Sequence, residues 1–148
     1  MGQQQLLLLV LGIVIVGLAV VVGIQAFGEN QKKSNQDALV NDGVRIASDA
    51  QAWALKPSAF GGGNGTFTGV DFTDIGYTVG DNASTTQTAG ATAYENINGV
   101  FTMAASGTGI LITGSNTSNA NTVYVRVCGT DQSDITTQVG GSAPSACA

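Results

Sequence analysis

The 148-residue sequence has no histidine, two prolines, two cysteines and only five lysines and arginines. Each shortage excludes something. Without histidine there is no Ser-His-Asp triad and no histidine-bearing zinc site. Five basic residues stand against ten acidic ones, for a net charge of −5. That leaves no basic patch to neutralise phosphates, so no nucleic-acid partner is expected. Charged residues make up 10% of the chain, and after residue 60 the polarity comes from Gly, Thr, Ser and Asn. This is the composition of strands and turns exposed outside a cell. No proline precedes Pro57, so no proline interrupts a helix in the first third of the chain.

What that first third contains is apolar. The stretch MGQQQLLLLVLGIVIVGLAVVVGIQAFGENQKK carries no charge before Glu29. Its large side chains are Leu6, Leu7, Leu8, Leu9, Val10, Leu11, Ile13, Val14, Ile15, Val16, Leu18, Val20, Val21, Val22 and Ile24. A signal peptide would need a basic start and a shorter apolar run. A bilayer core needs roughly 20 apolar residues at about 1.5 Å each, which this run supplies. A helix apolar on every side must be surrounded by lipid or by protein. Gly12, Gly17 and Gly23 interrupt the run, each at up to about 1 kcal/mol relative to alanine. They read either as close-packing or ordinary membrane glycines, or as places where the helix can loosen.

From about residue 31 the pattern turns amphipathic. Leu39, Val40, Gly43, Val44, Ile46, Ala47, Ala50, Trp53 and Ala54 recur at spacings of three and four, one stripe of a helix. The spacing predicts one helix over residues 3–55, about 80 Å long, ended by Lys56-Pro57. SAFGGGNG, residues 58–65, is a connector. It lacks the Gly-Lys-Ser/Thr of a phosphate loop and follows a helix instead of opening one. The chain thus divides into an apolar half-helix (1–28), an amphipathic half-helix (29–57) and a small β domain (58–148).

That domain is expected to be an antiparallel meander of about four strands, from TFTGVDF with a bend at Gly69, NGVFTMAA, GILITGS and NTVYVRVC. Turns are expected at Asn98-Gly99, within residues 106–109 and within 115–121; residues 78–93 read as a polar loop. One face of the sheet would pack on the helix stripe, giving an α+β fold.

Few residues here could do chemistry. Asp71, Asp74, Asp81, Glu95, Asp131 and Asp134 are scattered among turn formers, where turn formation or solvation explains them. Asp131 and Asp134 offer oxygens to calcium but lack EF-hand spacing. No enzyme activity, cofactor or metal is expected. An even cysteine count beside a membrane-targeting segment favours a Cys128–Cys147 disulfide, closing a loop of about 20 residues and worth roughly 3 kcal/mol. Free thiols or metal ligands are the alternatives. Sequons at Asn64, Asn82 and Asn116 mark candidate surface glycosylation sites.

Taken together, the N-terminal apolar segment QQQLLLLVLGIVIVGLAVVVGI, the continuous amphipathic helix, the glycine-rich loop after DAQAWALKPSAFGGGNGTFTG, the antiparallel sheet and the C-terminal cysteine pair resemble the type IV pilin or pilin-like family. The resemblance covers the whole chain in architecture. It implies a structural subunit whose apolar half-helix waits in the inner membrane. An assembly machinery then packs that helix into the core of a helical homopolymer at the cell surface. The β domain would form the filament's exterior, with the disulfide loop on it. Secretion-system pseudopilins share this layout, and a monomeric membrane-anchored adhesive ectodomain shares part of it. The family's basic leader is absent, and so is the glutamate usual at the fifth mature position. Cleavage after Gly2 would put Leu7 there, and retention of Met1 would put Gln5. Gln3, Gln4 and Gln5 are the polar groups left to hydrogen-bond between subunits. The family's helix-breaking proline is also absent, so Gly12, Gly17 and Gly23 would take its role.

Overall fold

A computed structural model describes residues 2–77 and 93–148. A single helix, α1, spans Gly2–Leu55, matching the span predicted from its pattern. The chain divides into two compact units, Met1–Ser34 and Asn35–Ala148. In the first, α1 stands as a helix with every described residue exposed.

In the second unit the rest of α1 packs on an antiparallel sheet with strand order β1-β2-β3-β4-β5. The strands are β1 (Ala93–Glu95), β2 (Val100–Ser106), β3 (Gly109–Asn116), β4 (Asn121–Val127) and β5 (Ile135–Val139). The fold is α+β, as the sequence indicates. Alternation places Phe101 and Met103 of β2, Ile110 and Ile112 of β3, and Val123, Val125 and Val127 of β4 in one buried face. Register lines up Met103, Ile112 and Val125 in one row and Phe101, Gly114 and Val123 in another. Leu39, Ile46, Ala47, Ala50 and Ala54 of α1 complete the core.

One glycine lets α1 approach the sheet, and another makes room for an aromatic ring on the sheet itself. A Cβ at Gly43 would lie 2.8 Å from Val125 Cγ2, and one at Gly114 would lie 2.7 Å from Phe101 Cε1. The three expected turns fall where placed. Gly107 opens the two-residue β2–β3 loop at φ +64°, and Ala120 ends the β3–β4 loop at φ +51°.

The strand inventory differs from the expectation in two ways. TFTGVDF is not a strand: residues 66–77 form successive turns, with Gly69 and Gly76 at positive φ. Short loops are closed by Val70 N donating to Phe67 O at 3.3 Å and Gly76 N donating to Thr73 O at 3.2 Å. Phe67 and Phe72 are nonetheless buried, delivered to the core by turns instead of by strand alternation. β1 and β5 are additions, so the meander has five strands. The loop expected at 78–93 lies, up to residue 92, outside the described residues; Ala93 opens β1.

Candidate assembly surface

Between residues 6 and 27 every large apolar side chain points into open space. Exposure runs from 50% at Val14 to 72% at Phe27. By length and composition this segment of α1 could cross a membrane. All fifteen large residues predicted for polymerisation lie in it. α1 continues unbroken through Gly12, Gly17 and Gly23. No atom lies within 4 Å of a Cβ built on any of the three, so nothing within this chain requires glycine there. Removing such a surface from water is worth on the order of tens of kcal/mol at about 1.5–3 kcal/mol per large side chain. No polar group on the segment competes with that term between Gln5 and Gln25.

The glycine-rich connector serves the C-terminal end of α1. The amides of Gly63, Asn64 and Gly65 donate to the carbonyls of Trp53, Lys56 and Ala54 at 3.1, 3.0 and 2.7 Å. These bonds satisfy acceptors that a helix end leaves open. A Cβ at Gly62 would run into the Lys56 carbonyl. The loop is therefore a cap, which accounts for its glycines without a ligand.

Cys128 and Cys147 are disulfide-bonded, with Cα atoms 5.4 Å apart. The bond draws the tail back over the β2–β3 hairpin. Cys147 N donates to Ser106 O at 3.3 Å, and Thr108 Oγ1 donates to Ala148 O at 2.7 Å. Arg126 holds the same tail by donating to Ser145 O at 2.7 Å. Gly109 is required beneath it: a Cβ there would meet the Val127 carbonyl and sit 2.8 Å from Cys147 Sγ.

The sequons differ in availability. Asn64 is exposed at φ +49°. The Asn116 amide nitrogen is engaged, donating to Asn98 O at 2.6 Å. Asn82 lies outside the described residues. Asp131 and Asp134 close one turn, with Asp131 N donating to Asp134 Oδ2 at 3.1 Å and Asp134 N donating to Asp131 O at 3.0 Å. Among the described residues no three His, Cys, Asp or Glu side chains gather as metal ligands.

One feature escaped sequence reasoning. At the end of the second unit where α1 begins to be buried, amides interlock. Asp42 Oδ2 accepts from Asn96 Nδ2 and Asn98 Nδ2 at 2.9 and 2.7 Å. Asn98 O accepts from Asn35 Nδ2 at 3.1 Å, and Asn35 Oδ1 accepts from Asn121 Nδ2 at 3.0 Å. At the other end, Gln51 Nε2 donates to Gly129 O and Asp131 O, both at 2.8 Å. The only signal available in sequence is the crowding of asparagine at residues 96–98 and 116–121. Midway, Tyr77 OH donates to Asp49 Oδ2 at 2.7 Å. Burial first, and this bond second, push the Tyr77 hydroxyl pKa well above its ordinary value.

Compared with protein-family models, curated proteins and solved structures, the chain has no match.

Proposed function

We propose that this chain is the structural subunit of a type IV pilus-like helical filament and polymerises through the apolar half of α1. Its precursor sits in a membrane by the same segment. The observation that carries this reading is a division of labour along one helix. From Asn35 onward α1 has a buried stripe and a complete core of its own. Before that, large apolar side chains are exposed on every side. A membrane anchor alone needs only the span; a polymer subunit also needs a folded unit to display, and α1 contributes to both. The disulfide and the Thr/Ser/Asn-rich strands suit an oxidising exterior. Electron microscopy of fibres sheared from cells, with mass spectrometry of their subunit, tests the proposal. Long fibres made of this chain are the expected result. Short or absent fibres with the chain retained in the membrane would favour a pseudopilin or an anchored ectodomain.

A further inference from the structure

We propose that Asn64-Gly65, in the cap of α1, is a site of spontaneous amide-to-acid conversion, and that the asparagine network holds the same dipeptide at Asn98-Gly99 back from it. Both hold whether or not the chain polymerises. The sequence contains this pair at these two places. The chemistry needs only the pair and water. Gly65 N attacks Asn64 Cγ and a bond forms between them. The Cγ–Nδ2 bond breaks, and the Gly65 amide proton leaves with the side-chain nitrogen as ammonia. Water then opens the cyclic imide at either carbonyl, leaving aspartate or isoaspartate at position 64. Nothing is oxidised or reduced. Glycine favours the attack because no Cβ shields the nitrogen.

The two pairs are held differently. Asn98 is half-buried and pinned at side chain, amide and carbonyl. Its Nδ2 donates to Asp42 Oδ2 at 2.7 Å, and its N donates to Asn96 Oδ1 at 2.9 Å. Its O accepts from Asn35 Nδ2 and Asn116 Nδ2 at 3.1 and 2.6 Å. Gly99 N donates to Asn96 Oδ1 at 3.1 Å, and Gly99 O accepts from Asn96 N at 3.0 Å. A Cβ at Gly99 would sit 2.9 Å from Leu39 Cδ2 and run into the Ser115 carbonyl, so this peptide has no room to turn toward the side chain.

Asn64 is exposed, and its side chain takes no hydrogen bond from the described residues. Nothing lies within 4 Å of a Cβ built on Gly65. The attacking nitrogen is held by one bond, Gly65 N donating to Ala54 O at 2.7 Å. Residues 61–66 bury no side chain, so releasing that bond is a local opening and not an unfolding of the core. Conversion would then loosen the cap in three ways. The imide has no N–H left for Ala54 O. The acid places a negative charge at the C-terminal end of α1, where the helix dipole disfavours it. Isoaspartate lengthens the backbone of the cap by one methylene group.

The test incubates the full chain in detergent at mildly alkaline pH, with and without urea, and follows both positions by peptide mass spectrometry and enzymatic isoaspartate methylation. In urea the two should convert at similar rates, because the dipeptides are identical. In the folded chain position 64 is expected to convert about tenfold or more faster than position 98, a factor set by the charge-assisted bond from Asn98 to Asp42. Asp42→Ala, shown to be folded by circular dichroism, should narrow that gap by speeding position 98. Asn64→Gly suits φ +49° and has no amide to convert. Its melting temperature should hold through the incubation while that of the wild type drifts down. Equal rates at the two positions in the folded chain, a faster rate at 98, or no conversion at 64 over a time in which both convert in urea would each overturn the proposal. An Asn64→Gly chain that drifts like the wild type would overturn the effect on the cap.

Discussion

Gly43 stands where α1 comes closest to the sheet. Replacing a helical glycine by alanine normally gains up to about 1 kcal/mol. Here the new methyl would press on Val125 Cγ2 at 2.8 Å, and Val125 is buried and stiff at χ1. Overpacking of this kind costs about 1–3 kcal/mol. Gly43→Ala should therefore lower the melting temperature, whereas Gly12→Ala, with open space around it, should not. Equal effects at the two positions in thermal melts would contradict this account of the close approach. Tyr77 provides a second test at this scale. Burial and the bond to Asp49 make the folded chain hold the tyrosine proton more tightly than the unfolded chain, despite the opposing charge of Arg45. The stabilisation is therefore complete below the unfolded pKa of about 10 and is lost as pH rises past it. Melting curves taken from pH 8 to 11 should fall more steeply for the wild type than for Tyr77→Phe. Parallel falls would show that this proton is not linked to folding.

The C-terminal tail is an element without secondary structure of its own. Beyond Val139 it is held by the disulfide, by Arg126 and by two bonds to the β2–β3 hairpin. The bridge closes a loop with a sequence separation of 19, for which chain entropy gives about 3 kcal/mol. The main apolar cluster contains neither cysteine. A Cys128→Ser/Cys147→Ser chain should thus stay folded, with a lower urea midpoint and earlier proteolysis at residues 140–148. Complete unfolding of that variant at neutral pH would mean the tail is part of the core. The elements that sequence made legible are those whose local chemistry matches their tertiary role. Val123, Val125 and Val127 alternate cleanly, and Gly107 marks its hairpin. β5 was hidden because Thr136, Thr137 and Gln138 separate its two apolar ends. It is an edge strand paired with β4 alone and exposed along most of its length, so burial imposes no alternation on it. Phe67 and Phe72 look like strand residues because both are buried, yet the positive φ of Gly69 breaks any ladder between them. The asparagine network was illegible for another reason. Its bonds join residues 63 and 86 positions apart, and each asparagine alone reads as a turn former.

For the whole molecule, the question is what holds copies together. No carboxylate precedes Glu29, so contacts along residues 2–28 cannot rest on a side-chain salt bridge. Apolar burial is not screened by salt, while exposed ion pairs are. Fibres should therefore keep their mass between low and moderate salt at neutral pH, and dissociation on adding salt would argue for charge pairing elsewhere. The sharper test removes the segment itself. A chain starting at Glu29 keeps the whole second compact unit, including the stripe of Leu39, Ile46, Ala47, Ala50 and Ala54 and the sheet it covers. It loses every large apolar side chain that stands exposed before Phe27, and Phe27 with them. The large apolar side chains that remain exposed among the described residues are Leu55, Phe60, Ile97 and Val139. Even if all four were buried at about 1.5–3 kcal/mol each, the gain would only about offset the roughly 4–15 kcal/mol lost when two molecules surrender independent motion. The truncated chain should therefore be a folded monomer: helix and sheet signals by circular dichroism, a cooperative melt, and a single monomeric boundary in sedimentation velocity. If it still forms fibres, the outer unit drives assembly and the apolar helix is only an anchor. If it unfolds, the sheet draws stability from residues before Glu29, and the boundary at Asn35 does not mark an independent folding unit.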